Sequence, residues 1–244
     1  MTRTVLSLTG PDRVAFLQDL VTNDVTRADR ATYAALLTPQ GKYLFDFFVT
    51  HDGDALMIDA PADMAGALAQ RLTIYRLRRK VELAMTDLAV SRGTGAVPDG
   101  ALPDPRHPDL GWRRIDRAGT EDGTDWDAVR VDAIVPESGI ELIQNDSFPL
   151  EMGLDRLNGI DFRKGCYVGQ EVTARMKHKT ELRKGLRRVV VDGHAPVGAA
   201  LLADGKPAGT LYTQSGGRGL AWLSFDRASG DMQTDGARVR LDDA

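Results

Sequence analysis

The stretch YAALLTPQGKYLFDFFVT, residues 33–50, predicts two β-strands joined by a tight turn. Both ends are apolar and rich in aromatic and branched side chains, a composition typical of strands. Between them, TPQG at residues 38–41 supplies the proline and glycine that turns favour. Alternation along the second strand places two sets of side chains on opposite faces: Tyr43, Phe45, Phe47 and Val49, and Leu44, Asp46 and Phe48.

Asp46 interrupts this apolar strand. A carboxylate between Leu44 and Phe48 is costly unless it is paired or opens onto a cleft. We therefore predict that Asp46 is a catalytic residue that meets a basic nitrogen of a ligand. The alternative is an edge strand on which Asp46 faces water.

Outward from these strands, the first 90 residues show a mixed order of strands and helices. Pro61 opens a helix with Met64, Leu68 and Leu72 on one stripe. The resulting order, β-α-β-β-β-α-β, is typical of an α+β protein rather than a doubly wound one. The predicted strands are 2–9, 33–38, 42–50, 55–60 and 81–91, and the predicted first helix is 12–21.

After residue 90 the composition of the chain changes at two points. Residues 91–125 are rich in Gly, Pro and Asp, which predicts a loop-rich connection with a strand near 111–115, followed by a helix over 126–134. Beyond residue 181, short β-like runs alternate with turn signals about every 8–12 residues, as in a small antiparallel barrel or sandwich. We divide the chain into an N-terminal α+β subdomain, a second α+β subdomain and a C-terminal β-barrel: residues 1–90, 91–180 and 181–244.

The composition is that of a soluble globular protein. Of 244 residues, 42% are hydrophobic and 27% charged, and no apolar run approaches the ~20 residues that a membrane helix needs. We expect neither a signal peptide nor a membrane partner. One cysteine excludes an internal disulfide framework and fits a reducing compartment, so we predict a cytoplasmic location.

That cysteine, Cys166, lies in KGCYVGQE at residues 164–171. Arg163 and Lys164 precede it and a helix is predicted to follow, and both features favour the reactive thiolate. A single thiolate cannot supply the several that hold an iron–sulfur cluster. We predict a catalytic role for Cys166; the alternative is a small buried hydrophobic residue.

Positive charge is concentrated around the same segment. Residues 163–188 carry nine Lys or Arg and two Glu, a local charge of +7 in a chain whose net charge is −4. This pattern favours an anionic partner, although a solvated helix face would also produce it.

Glu151 lies in FPLEMGLD at residues 148–155, where Pro149 restricts the backbone. A rigidly held carboxylate can accept two parallel N–H bonds from a planar amidine-like edge, such as that of a pterin. The alternative is a helix-capping or surface glutamate.

Together these residues resemble a known family. Residues 164–171 match the K-G-C-[aromatic]-x-G-Q-E signature of the YgfZ proteins, folate-binding relatives of the glycine-cleavage T protein. The segments TAR at 173–175 and RK at 183–184 resemble the mitochondrial branch, which serves 4Fe–4S protein maturation. Other pieces occur in family order: LTPQG at 37–41, DPR at 104–106, LGWR at 110–113 and FPLE at 148–151.

The resemblance implies a T-protein-like folate-binding fold of two α+β subdomains followed by a small antiparallel β-barrel. Tetrahydrofolate would be the cofactor, held by Glu151, Asp46, Lys164 and Arg175, and no metal site is implied. T proteins have a different sequence at the positions of residues 165–167, and this difference favours a thiol-dependent function over aminomethyl transfer.

The leading functional prediction is a tetrahydrofolate-binding accessory protein for assembly or repair of iron–sulfur enzymes, in bacteria including tRNA-thiolating enzymes. Its partners would be folate, with or without a polyglutamate tail, and iron–sulfur client or assembly proteins. Direct nucleic-acid binding is not expected, because the basic segment is short on aromatic residues for base stacking. The alternatives are a folate-dependent aminomethyl- or methyltransferase of the T-protein type and an interaction module without a ligand.

Overall fold

The computed structural model describes residues 2–179, 181–228 and 230–242. The boundary positions 1, 180 and 244 of the three-part division lie outside these residues, and the division stays a prediction. The first strands and helices are β1 (Arg3–Thr9), α1 (Arg13–Gln18), β2 (Thr32–Leu37), β3 (Tyr43–Asp52), β4 (Ala55–Pro61), α2 (Ala62–Arg76) and β5 (Glu82–Met85). The elements that follow are β6 (Ala89–Gly93), β7 (Leu102–Pro103), a 3-10 turn (Pro108–Leu110), β8 (Trp112–Asp116), α3 (Trp126–Ala133) and α4 (Gln170–Lys179). The last strands are β9 (Lys184–Gly193), β10 (Ala199–Ala203), β11 (Lys206–Ser215), β12 (Arg218–Ser224), β13 (Met232–Thr234) and β14 (Ala237–Leu241).

The N-terminal part is an antiparallel sheet in the order β2-β3-β4-β1-β5. One face, which includes Phe47 and Ile58, packs against α1 and α2 in an apolar core. The predicted stripe of α2 takes part, since Leu68 and Leu72 are buried there. The opposite face turns toward the second subdomain and carries Asp46.

Two predicted elements have different ends. The helix predicted over 12–21 stops at Gln18, because Val21 instead forms a β-bridge with Leu36. The strand predicted over 81–91 is two strands in different sheets, β5 beside β1 and β6 beside β8. Thr86 separates them, since its hydroxyl donates to the Val5 carbonyl at 2.8 Å and accepts from the Leu88 amide at 3.1 Å.

The second subdomain combines the small sheet β6-β8-β7 with α3 and α4. Asp125 caps α3 by accepting from the Ala128 amide at 3.1 Å. The helix ends at Ala133, one residue before the predicted end, because the following Ile134 has a left-handed φ of 53° that terminates it.

The C-terminal part is a closed barrel in the order β10-β11-β12-β9-β14-β13, which selects the barrel over the sandwich. Its inner side chains, including Leu201, Leu211 and Met232, form a separate apolar core. The three-residue strand β13 was not predicted, because so short a segment shows no alternation. The two antiparallel sheets with their helices, followed by this barrel, confirm the α+β fold class.

A buried polar network attaches the barrel to the second subdomain. Glu141 is fully buried. Its carboxylate accepts from Arg130 at 3.1 Å and from the Thr213 hydroxyl on β11 at 2.6 Å. Because a buried carboxylate is costly unless it is fully paired, this arrangement specifies where the barrel docks.

Among the described residues, the helices are too short or too polar to cross a lipid bilayer.

Candidate functional site

The cysteine occupies an exposed loop immediately before α4. Cys166 is exposed to solvent. A Cβ added to the neighbouring Gly165 would meet no atom within 4 Å, so the chain is open on that side. On the other side Tyr167 is buried and packs into the core between the subdomains. The buried ring anchors the loop and the thiol faces outward, which rules out the alternative of a buried filler.

Lys164 fastens the same loop to the N-terminal subdomain. Its ammonium donates to three backbone carbonyls, those of Gln18 at 2.6 Å, Val21 at 2.5 Å and Asn23 at 3.1 Å. Burial lowers the pKa of Lys164 to about 8, and the charges of Asp24, Asp161 and Asp19 oppose this shift. All three N–H donors are thus used within the chain, and the role of Lys164 in folate binding stays a prediction.

Two glycines bring the cysteine loop against the turn at residues 38–41. Gly169 has a φ of +84°, and a Cβ there would lie 2.6 Å from the Thr38 carbonyl oxygen. Gly41 has a φ of +75°, and its Cβ would lie 2.9 Å from the Val172 Cβ. Side chains at either position would force the two segments apart. The two family-like motifs therefore form one packed unit.

Glu151 lies at the junction with the barrel. Its Oε2 accepts a hydrogen bond from the Trp222 indole at 3.0 Å, and its backbone carbonyl accepts from the Leu186 amide at 2.7 Å. The side chain is half-buried, and burial raises the pKa of Glu151 while the Trp222 hydrogen bond and the charges of Lys184 and Lys42 oppose this rise. The carboxylate is therefore held in place, between aromatic rings and cations.

The cations around Glu151 lie on aromatic surfaces. The Lys184 ammonium is 4.9 Å from the centre of the Trp222 ring. The Lys42 ammonium is 4.1 Å from the centre of the Phe148 ring and donates to the Asp146 carbonyl at 2.6 Å. Lys42 follows Gly41 directly, so a single turn contacts the cysteine loop on one side and the segment before Glu151 on the other.

Asp46 is enclosed rather than open. It is 4% exposed, and β3 is an internal strand, so the water-facing edge alternative is wrong. Its carboxylate accepts from the hydroxyls of Tyr33 at 3.0 Å, Tyr43 at 2.7 Å and Ser138. Burial, and then the charge of Asp46, raises the pKa of both tyrosines well above the ordinary value, so both remain donors.

Tyr43 reaches Asp46 because of a β-bulge. Leu36 pairs with Phe45 and Leu37 pairs with Tyr43, so Leu44 is an extra residue on β3. The strict alternation predicted for this strand is therefore wrong at its start, and Tyr43 shares the face of Asp46 instead of that of Phe45.

A buried charge network continues the Asp46 face. Arg113 donates to Asp59 at 2.5 Å and to Asp104 at 2.7 Å, and Arg106 donates to Asp104 at 2.8 Å. The guanidinium carbons of Arg113 and Arg106 lie 3.4 Å and 4.8 Å from the centre of the Phe48 ring. The segments at 104–106 and 110–113, which carried the family resemblance, thus supply charged groups that are paired inside the protein.

Arg175 lies away from these groups, on the exposed face of α4. It pairs with Glu171 at 2.9 Å, one helical turn earlier. Within the part of the chain that the structure describes, no hydrogen bond or ion pair joins any two of Cys166, Asp46, Glu151, Lys164 and Arg175. The assignment of these residues to catalysis and folate binding stays a prediction. Sequence reasoning missed Trp222, Ser138 and Tyr33. Trp222 and Ser138 lie far along the chain from the carboxylates they contact, whereas Tyr33 lies on the neighbouring strand β2 and could have been found from the hairpin.

The architecture defines the class of protein. The structure superimposes on the glycine cleavage system aminomethyltransferase T from Bartonella henselae with a TM-score of 0.76, covering 98% of this chain and 82% of that one at 13% identity. Residues 183–244 match the family described as CAF17, C-terminal beta-barrel domain. The fold is therefore that of the T protein, completed by a CAF17-type barrel.

Sequence relatives identify the family within this class. The human mitochondrial iron–sulfur cluster assembly factor IBA57 is 31% identical, over 98% of this chain and 81% of the human protein. Its counterpart from Mus musculus is 28% identical, over 98% of this chain and 80% of the mouse protein. The chain belongs to the IBA57 family of iron–sulfur cluster assembly factors.

A fungal relative is longer. The mitochondrial IBA57 homolog of Mycosarcoma maydis is 34% identical over 75% of this chain, and the chain spans 54% of that protein. The three relatives are mitochondrial proteins, which overturns the prediction of a cytoplasmic location.

Proposed function

We propose that this chain is a tetrahydrofolate-binding factor in iron–sulfur cluster assembly, and that Cys166 acts on the cluster or on the protein that carries it. Family membership supports the assembly role. One observation supports the finer proposal: the turn at residues 38–42 contacts both the loop that carries the exposed Cys166 and the segment that precedes Glu151. The YgfZ-like signature at 164–171 is consistent with it, and tRNA-thiolating clients belong to the same proposal.

Cys166 would act together with thiols of another molecule. The described residues contain no group of three or more His, Cys, Asp and Glu side chains placed to hold a metal ion. Iron–sulfur clusters are usually held by several thiolates. A cluster at this loop would therefore be cargo, with Cys166 as one ligand and partner thiolates as the others. The exposed position of the loop suits such sharing.

The surroundings of Glu151 fit tetrahydrofolate. One carboxylate oxygen accepts from Trp222, and Oε1 makes no hydrogen bond within the described residues, so it can accept an N–H of the aminopyrimidinone edge. The rings of Trp222 and Phe148 offer apolar surface for the pterin. Bound tetrahydrofolate would supply the nitrogens that carry one-carbon units, and the chain would orient its pterin through Glu151.

The Glu151→Gln variant is expected to bind tetrahydrofolate about tenfold more weakly or worse, because charge-assisted hydrogen bonds are roughly twice as strong as neutral ones. The amide oxygen can still accept from Trp222, so the local packing is retained. Isothermal titration calorimetry under reducing conditions measures the change. Glu82→Gln, at an exposed position on β5, is the control and should bind as the unmodified chain does. Equal affinities for both variants would exclude Glu151 as the pterin-binding residue.

The cations beside Glu151 are suited to the glutamate tail of folate. No carboxylate of the described residues pairs with Lys184 or Arg187. Arg187 instead lies over Phe225, with its guanidinium carbon 4.2 Å from the ring centre. Arg188, on the other face of β9, pairs with Asp242 at 2.7 Å. Within the described part of the chain, Lys184 and Arg187 are therefore the cations of this strand that form no ion pair, and Lys184 acts on Glu151 only through its charge.

Replacing Lys184 and Arg187 together by glutamine is expected to weaken the binding of pentaglutamyl tetrahydrofolate several-fold more than the binding of the monoglutamyl form. The loss should shrink at high salt, because exposed charges are screened there. Calorimetry with both folates, at two salt concentrations, tests this. Arg188→Gln is the matched control, since its charge is already neutralised by Asp242. An equal loss for both folates, or a loss of tRNA binding instead, would contradict a tail-binding role.

The T-protein type of reaction has less support from this site. It requires Asp46 to meet a nitrogen of folate, but three hydroxyl groups already occupy the Asp46 carboxylate in the interior. A folate nitrogen would have to displace one of them. One-carbon transfer that is lost in Asp46→Asn and kept in Cys166→Ser would nevertheless establish that reaction.

A further inference from the structure

The end of α2 carries a cluster of cations that the proposed function does not use. Residues 71–80, RLTIYRLRRK, contain five Lys or Arg and no acidic residue, in a chain of net charge −4. All five are exposed. Arg79 pairs with Asp19 at 2.5 Å. The other four form no ion pair with a carboxylate of the described residues: Arg71, Arg76, Arg78 and Lys80.

Apolar side chains are exposed among these cations. Ile74 is 66% exposed and Leu77 is 88% exposed. Leu77 also has a φ of 43° and a ψ of −108°, a conformation that costs free energy for a residue with a branched side chain. The fold therefore holds a leucine outward, in a strained conformation, where it buries almost none of its surface.

A groove lies beside this leucine. Its volume is about 710 Å³, and it separates α1 from the end of α2. Phe16, Leu20, Tyr75 and Leu77 supply its apolar lining, and Arg78, Arg79 and Asp19 complete it. The Asp19 carboxylate is already paired with Arg79, which leaves Arg78 as the unpaired charge of the lining. A space of this size accommodates a few amino-acid side chains.

We propose that this α2 groove binds an acidic segment of a partner protein. An apolar side chain of that segment enters the groove against Phe16 and Leu77, and its carboxylates pair with the cations of residues 71–80. Charge complementarity selects an acidic partner, because nothing in the described structure neutralises four of those cations. The concave apolar lining favours a peptide over a flat lipid surface. Neither Cys166 nor Glu151 lines the groove. Lys164 of the cysteine loop donates to the Gln18 carbonyl, next to the groove residue Asp19, so a partner bound here would lie beside that loop.

The test uses the full chain and a phage-displayed library of random dodecapeptides. Peptides that the chain retains should be enriched in Asp and Glu around an apolar residue. One retained peptide, synthesised with a fluorescent label, then reports affinity by anisotropy. The Ile74→Ser/Leu77→Ser and Arg76→Gln/Arg78→Gln variants should each bind it about tenfold more weakly or worse, as for loss of an interface anchor. The fold should persist, since all four side chains are exposed.

Control variants remove similar groups elsewhere. Val197→Ser, whose valine is 61% exposed, and Arg238→Gln on β14 should leave affinity unchanged. The proposal fails if no peptide is retained, if the retained peptides lack acidic residues, or if they bind the Leu77 variant normally. It also fails if only vesicles of phosphatidylserine and phosphatidylcholine bind, in a manner that depends on Arg78. Cys166→Ser should bind the peptide normally, which separates this site from the proposed function.

Discussion

The Cys166→Ser variant is expected to lose the chain's support of 4Fe–4S enzyme activity while keeping its fold. Serine is nearly isosteric with cysteine, and exposed substitutions usually change stability by less than about 0.5 kcal/mol. A hydroxyl is a poor ligand for iron–sulfur clusters, which bind soft thiolates. The measurement is the activity of a 4Fe–4S enzyme in cells that lack the native gene, relative to an enzyme without a cluster.

Gly165→Ala is the matched control for this loss. The added methyl group would meet no atom within 4 Å and leaves the thiol in place, so we expect normal activity. Cys166→Ser should also bind tetrahydrofolate normally, whereas Glu151→Gln should not, which separates the two halves of the proposed function. Full support of 4Fe–4S enzyme activity by Cys166→Ser would show that the thiol has no role.

The strands were largely predictable because alternation and turn residues are local signals. The turn at residues 38–41 and the stripe of α2 depend on side chains within a few positions of one another. The bulge at Leu44 was not predictable in this way, because it depends on the register with β2. The division of residues 81–91 between two sheets likewise depends on Thr86 reaching Val5, far away in sequence.

In the candidate site, too, the features that depend on neighbouring residues were predictable and those that depend on distant residues were not. The positions of Cys166 and Glu151 followed from short motifs, and a charged residue within an apolar strand singled out Asp46. Their surroundings could not be predicted, because Trp222 lies 71 positions from Glu151 and Ser138 lies 92 positions from Asp46. The role of Lys164 was not predictable either, because the Gln18 carbonyl to which it donates lies 146 positions away.

The second large effect concerns stability. Arg113→Met is expected to destabilise the protein by about 3–5 kcal/mol, the usual cost of breaking a buried ion pair from one side. Arg113 has a side chain that is 5% exposed, and its removal leaves Asp59 and Asp104, each 3% exposed, with fewer partners. Urea unfolding followed by circular dichroism measures the loss. The adjacent Arg114→Met is the control, because its partly exposed pair with Asp116 should contribute less than about 1 kcal/mol.

Acidic pH distinguishes this mechanism from a simple loss of packing. Burial opposes ionisation of Asp59 and Asp104, but the charges of their arginine partners prevail and hold the pKa of each below its ordinary value of 3.8. Such carboxylates stabilise the native state at neutral pH, and this contribution is lost as pH falls below about 4. The Arg113→Met variant has already lost part of this stabilisation at neutral pH. The difference between its unfolding free energy and that of the unmodified chain should therefore shrink in acid. A difference that stays constant from pH 7 to about pH 3 would show that Arg113 acts through packing on Phe48 rather than through charge.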